Sequence, residues 1–81
     1  MDRFRAMSAF MAVADEGGFA AAGRALRLSA PSVTRLISEL EDALGARLFH
    51  RTTRSVSLTD TGTRYLEDCR RILGDLENAD A

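Results

Sequence analysis

The 81 residues contain one cysteine, one histidine and one proline, and every basic side chain is arginine. Each scarcity closes off a class of function. With Cys69 alone, no intrachain disulfide framework can form. Zinc needs about four ligands, which His50 and Cys69 cannot supply within one chain, so neither a metal nor another cofactor is expected. His50 has no second histidine and no carboxylate near it in sequence, and Glu39, Glu41 and Asp42 read as a solvated helix face rather than an acid/base pair. Glycines at 17, 18, 23, 45, 62 and 74 match neither a phosphate-cradling loop nor a dinucleotide fingerprint. An enzyme is not expected. No apolar run approaches the roughly 18 residues that a membrane span requires. The short stretch Ala9 to Ala14 follows a mixed-charge segment and is not a secretory signal, so no membrane partner and a cytoplasmic address are expected. Internal repeats and low-complexity linkers are missing as well.

What is present is an ordinary globular composition, 46% apolar and 28% charged, in a length suited to one small domain. The net charge of −1 argues against nucleic acid until its distribution is considered. Met1 to Leu58 carries eight arginines and six acids, whereas Thr59 to Ala81 carries three arginines and six acids. Arginines 24, 27, 35, 47, 51 and 54 concentrate the positive charge in the middle of the chain. Arginine suits bidentate contact with phosphate and guanine, although a GC-rich coding bias would also replace lysine throughout.

Four helices and a hairpin are legible. Phe4, Met7, Met11 and Ala14, with Phe10 and Val13 alongside, give a first helix one apolar face, ended at Gly17-Gly18. Phe19 to Arg27 fits a short second helix whose small residues, Ala20 to Gly23, allow a close neighbour. Ser29 is a natural N-cap and Pro31 is tolerated in a first turn. From there Val33, Ile37, Leu40 and Leu44 form an amphipathic stripe closed by Gly45. Two helices joined by about three residues form a helix-turn-helix. Arg47 to His50 and Ser55 to Leu58 then read as short strands around the basic tip 51–54, a wing. Thr59 can cap a last helix in which Tyr65, Cys69, Ile72, Leu76 and Ala79 recur at spacings of four and three. That seam suits a partner helix, and packing against the chain's own first helix would use the same residues.

The third helix exposes Ala30, Ser32, Thr34, Arg35 and Ser38 on its first turns, small residues and one arginine that suit a major groove. In isolation the same face would serve as a solvated surface. The hairpin tip shifts the balance. Arg51 and Arg54 can enter a narrow, electronegative minor groove, while Thr52, Thr53 and Ser55 can donate to phosphates.

Together these stretches resemble the DNA-binding domain of LysR-type transcriptional regulators. The resemblance is carried by Phe19 to Leu26, Leu28 to Arg35, Leu40 to Arg51 and Leu58 to Gly62. It implies a mainly α fold: a winged helix-turn-helix with a three-helix core and two-stranded wing (1–58), then a long C-terminal linker and dimerisation helix (59–81). It further implies a homodimer, able to assemble further in a full-length protein, bound to interrupted palindromic promoter DNA in the bacterial cytoplasm. Groove reading would fall to Ala30, Pro31, Thr34 and Arg35, and minor-groove contact to Arg54. Phosphate contacts would come from Phe19 and Ala20, from Ser38, and from Arg51 and Thr53. The dimer seam would be Tyr65, Cys69, Ile72 and Leu76. In the family an effector-sensing domain normally follows, so the chain is expected to be a fragment. It departs from the family at Ala30, often glutamine, at Ser38 and Glu39, often basic, and at Gly23, usually alanine. The competing reading is an interaction module whose last helix pairs with a partner while the central arginines are merely solvated.

Overall fold

A computed structural model describes residues 1–51 and 56–81. Thr52, Thr53, Arg54 and Ser55, and with them the expected wing contacts of Thr53 and Arg54, lie outside the described residues. The elements run α1 (Arg3–Glu16), α2 (Phe19–Leu26), α3 (Ala30–Leu44), β1 (Phe49–Arg51), β2 (Val56–Leu58) and α4 (Asp60–Asp80). This is a winged helix-turn-helix followed by a long helix, as expected.

Each helix starts where a side chain or an extended residue permits it. The Asp2 carboxylate accepts the Arg5 N–H at 3.1 Å and opens α1. Gly17, at φ 82°, ends that helix in the left-handed region, where glycine carries no Cβ penalty. The buried face of α1 keeps Met7, Phe10 and Val13 of the expected face, with Met11 and Ala14 half-buried against the core, and departs from it at Phe4. Ala6, Met7, Ala9, Phe10 and Val13 are buried, while Phe4 is 49% exposed. Because α1 packs against α2, α3 and α4, it is covered from several sides and no single stripe describes it.

The turn between α2 and α3 is tight. α2 stops one residue earlier than expected because Arg27 turns left-handed at φ 59°. Leu28 N–H then donates back to the Gly23 carbonyl at 2.8 Å. A Cβ at Gly23 would come within 2.6 Å of the Leu28 carbonyl oxygen, so the departure from alanine matches a close approach of the turn. Ser29 caps α3 as expected, its Oγ accepting the Ser32 N–H at 3.2 Å and donating to Ser32 Oγ at 2.8 Å. Val33, Ile37 and Leu40 are fully buried, and Gly45, left-handed at φ 66°, closes the helix.

β1 begins at Phe49, two residues later than the sequence pattern suggests, because Leu48 N–H is taken by a side chain rather than by a strand. The two strands pair antiparallel, Phe49 with Leu58, His50 with Ser57 and Arg51 with Val56. Thr59 locks the wing to α4. Its N–H donates to the Leu48 carbonyl at 3.0 Å, its hydroxyl donates to the Arg47 carbonyl at 2.7 Å, and the same oxygen accepts the Gly62 N–H at 2.9 Å. Gly62 lies so close beneath the Leu48 carbonyl that a Cβ there would overlap it.

The aromatic centre joins every layer. Phe10 of α1 meets the Phe49 ring at 5.2 Å and the Tyr65 ring at 5.5 Å, and Phe19 meets Phe49 at 6.1 Å. Such offset contacts contribute about 0.5–1.5 kcal/mol each beyond burial. They fix α2, the wing and α4 on α1.

Candidate nucleic-acid interface

The first turns of α3 present Pro31 and Arg35 to solvent, with Ala30, Ser32, Thr34 and Ser38 half-buried around them. Ser29 holds Ser32, as described above. Thr34 Oγ1 donates to the Ala30 carbonyl at 3.0 Å, which turns its hydroxyl hydrogen back onto the helix. The outermost groups are therefore the Pro31 ring and the Arg35 guanidinium, flanked by small side chains that allow a close approach.

Arg51 occupies a different position from the one its hairpin-tip assignment suggests. It lies on strand β1, its Nη2 donates to Glu41 Oε1 at 2.7 Å, and its guanidinium carbon sits 5.3 Å from the centroid of the Phe19 ring. A cation over an aromatic face is attracted by the ring's quadrupole. The side chain remains 30% exposed. One guanidinium thus joins the wing stem to the start of α2, where Phe19 and the exposed Ala20 stand. Gly18 precedes that helix with extended backbone and no side-chain cap. The first N–H groups of α2 consequently have no side-chain partner there.

Glu41 is the residue that sequence reasoning missed. It was expected on a solvated face with Glu39 and Asp42, yet it is 5% exposed. Its Oε2 accepts the Leu48 N–H at 2.8 Å, and its Oε1 accepts Arg51 at 2.7 Å and Arg47 at 3.4 Å. The correction has a simple cause: Glu41 lies four residues after Ile37 and eight after Val33, on the apolar stripe itself. A lone carboxylate on a buried stripe, followed by arginines, is the signal that could have revealed it.

The expected dimer seam divides in two. Cys69 is fully buried within its own chain, so its assignment to an interface with a second copy is corrected. Tyr65 is half-buried against Phe10. Both residues are packed within the chain because the first three turns of α4 complete this domain's own core. Burial pushes the Cys69 thiol up to about 11, opposed in part by hydrogen bonding to Tyr65, and burial likewise raises the Tyr65 phenol. Farther along α4, Ile72 and Leu76 are 39% and 40% exposed. Leu76 borders an open groove of about 640 Å³ between α1 and α4, lined also by Phe4, Ser8, Met11 and Leu73. An exposed ion pair, Arg70 to Asp15 at 2.6 Å, ties the two helices beside it. Among the described residues, no helix is long and apolar enough to cross a membrane.

Known proteins share this fold. A family profile described as bacterial regulatory helix-turn-helix protein, lysR family, matches residues 4–63. The HTH-type transcriptional regulator ClcR of Pseudomonas putida is 53% identical over 70 residues, 86% of this chain and 24% of that protein. Among solved structures, the CbnR_DBD-DNA complex superposes with a TM-score of 0.93 at 41% identity, covering 99% of this chain and 91% of that one. The BenM_DBD/catB site 1 DNA complex superposes with a TM-score of 0.92 at 29% identity, covering 98% and 88%. The chain spans about a quarter of the length of the curated relatives it matches.

Proposed function

The chain belongs to the lysR family of bacterial regulatory helix-turn-helix proteins, and from that premise we propose that it reads duplex promoter DNA as the N-terminal domain of a transcription regulator. The observation that carries the proposal is the likeness, over nearly the whole fold, to relatives solved with DNA. In this reading the N-terminal turns of α3 enter the major groove. Arg35 reaches guanine or phosphate, while Ala30, Pro31 and the Thr34 methyl pack on thymine methyls. Ser32 and Ser38 contact the groove edge. With alanine at position 30 in place of the family's frequent glutamine, apolar contact replaces a base-edge hydrogen bond there.

The uncapped start of α2 at Phe19 and Ala20, with Arg51 beside it, is suited to a phosphate. Thr53 would add a phosphate contact, and Arg54 would enter the minor groove, preferring A·T-rich flanks. Two copies joined through Ile72 and Leu76 would place two α3 helices about one duplex turn apart, roughly 34 Å, on a palindromic site. Assembly beyond a dimer, effector sensing by a further domain and a cytoplasmic location belong to the same proposal for the whole protein.

Selection from a randomised duplex pool tests this. Enrichment of a two-fold symmetric motif is the expected result. Recovery of unrelated sequences, with binding that depends only on salt, would leave nothing but phosphate attraction.

A further inference from the structure

A buried carboxylate is an expensive way to stabilise a core. Removing it from water costs several kcal/mol, and an apolar side chain of similar volume would often serve stability as well or better. Glu41 nevertheless sits in α3 with its two oxygens committed to three donors from the wing stem: Leu48 N–H, Arg51 and Arg47. Through Arg51, whose guanidinium lies over the Phe19 ring, the same carboxylate also reaches the start of α2. The groove-reading helix, the wing and the α2 start therefore meet at one side chain.

We propose that Glu41 is a positioning residue for DNA binding. It holds the Arg51 guanidinium beside the α2 N-terminus as a preset phosphate donor and fixes the wing relative to α3. The inference rests on the DNA-binding reading and adds a residue that touches no DNA. Guanidinium carries five N–H donors. Among the described residues one is used on Glu41, and the side chain is 30% exposed, so it can face a phosphate. An arginine held in this way loses less side-chain entropy on contact than a free one. The opposite expectation is equally definite: a carboxylate near the polyanion should only repel it, and its neutralisation should tighten binding.

The two accounts separate on Glu41→Gln and Arg51→Lys. Glu41→Gln keeps the shape and an acceptor for Leu48 N–H but loses the charge. Arg51→Lys keeps the charge but loses the planar guanidinium with its several donors. Anisotropy titrations of the parent and both variants would use a labelled mixed-sequence duplex of about 30 base pairs, over a salt series. Glu41→Gln is expected to bind about tenfold more weakly at about 0.1 M salt. Its slope of log affinity on log salt should be shallower by about one contact. Arg51→Lys should show the same loss, and the double variant should be no weaker than Glu41→Gln alone. Thermal melting should show both single variants folded. Binding by Glu41→Gln equal to or tighter than the parent overturns the proposal. Should Glu41→Gln fail to fold, an Arg51→Lys protein with the parent's affinity and salt slope overturns it instead. No salt-dependent binding by the parent would overturn the DNA reading itself, before any variant is compared.

Discussion

Replacing Gly62 by alanine should destabilise the domain far more than a single methyl ordinarily does. The position is buried, and an added Cβ would overlap the Leu48 carbonyl, which is backbone and cannot swing aside. That carbonyl accepts the Thr59 N–H that joins the wing to α4, and Leu48 N–H is held by buried Glu41, so the peptide groups on both sides of Leu48 are fixed. Overpacking of this kind costs about 1–3 kcal/mol, and losing the Thr59 bond would add about 1 kcal/mol. For a domain of this size, each kcal/mol corresponds to a Tm shift of about 4–8 °C. A fall of roughly 10–25 °C is therefore expected in a circular-dichroism melt at fixed protein concentration. Gly74→Ala is the internal control, in the same helix with open space around it. There alanine should raise stability by about 0.5–1 kcal/mol, since helix-interior glycine is disfavoured. A Gly62→Ala melt within a few degrees of the parent, or equal behaviour of the two variants, would refute the close-approach argument.

Four further outcomes are expected. Ile72→Asp with Leu76→Asp should shift sedimentation toward monomer while leaving the helical spectrum intact, because both side chains stand outside the chain's own core; an unchanged association state would move the interface elsewhere. Cys69 should resist a thiol reagent at pH 8 until the chain unfolds. The folded thiol's pKa is raised from 9.0 to about 11, so the folded state binds the proton more tightly. Stability should accordingly fall as pH rises from about 9 toward 11, with Tyr65 acting in the same direction, and a flat profile over that window would contradict it. Arg27→Gly should raise stability by about 1 kcal/mol in a denaturant titration, because φ 59° costs an L side chain that much; a loss would show that Arg27 makes an offsetting contact.

The caps and the helix-turn-helix were legible because they depend on local rules. As caps, Ser29, Thr59, Gly17 and Gly45 each act on backbone within a few residues, and the stripe of α3 has one buried face. What the sequence concealed depends on distant partners. The burial of Ala6 and Ala9 on α1 was not legible because three helices cover that helix, and Phe4 fitted the stripe yet is exposed. Glu41 looked solvated because its partners are six to ten residues away, across a turn and into a strand. Cys69 fitted a seam with a second copy because burial against one's own first helix and against a partner's helix leaves the same spacing in sequence. Strand β1 begins later than the alternation suggests because the backbone N–H of Leu48 bonds a carboxylate, not a neighbouring strand.

The central claim, that α3 reads bases through its N-terminal turns, is tested most directly by titrating the parent and Arg35→Ala against a selected duplex and one with its half-site bases exchanged. Arg35 is exposed, so the variant should melt like the parent. It should bind the selected duplex about 1–3 kcal/mol more weakly and discriminate less between the two duplexes. If Arg35→Ala retained the parent's affinity and the parent's preference between the duplexes, α3 would not be the reading element.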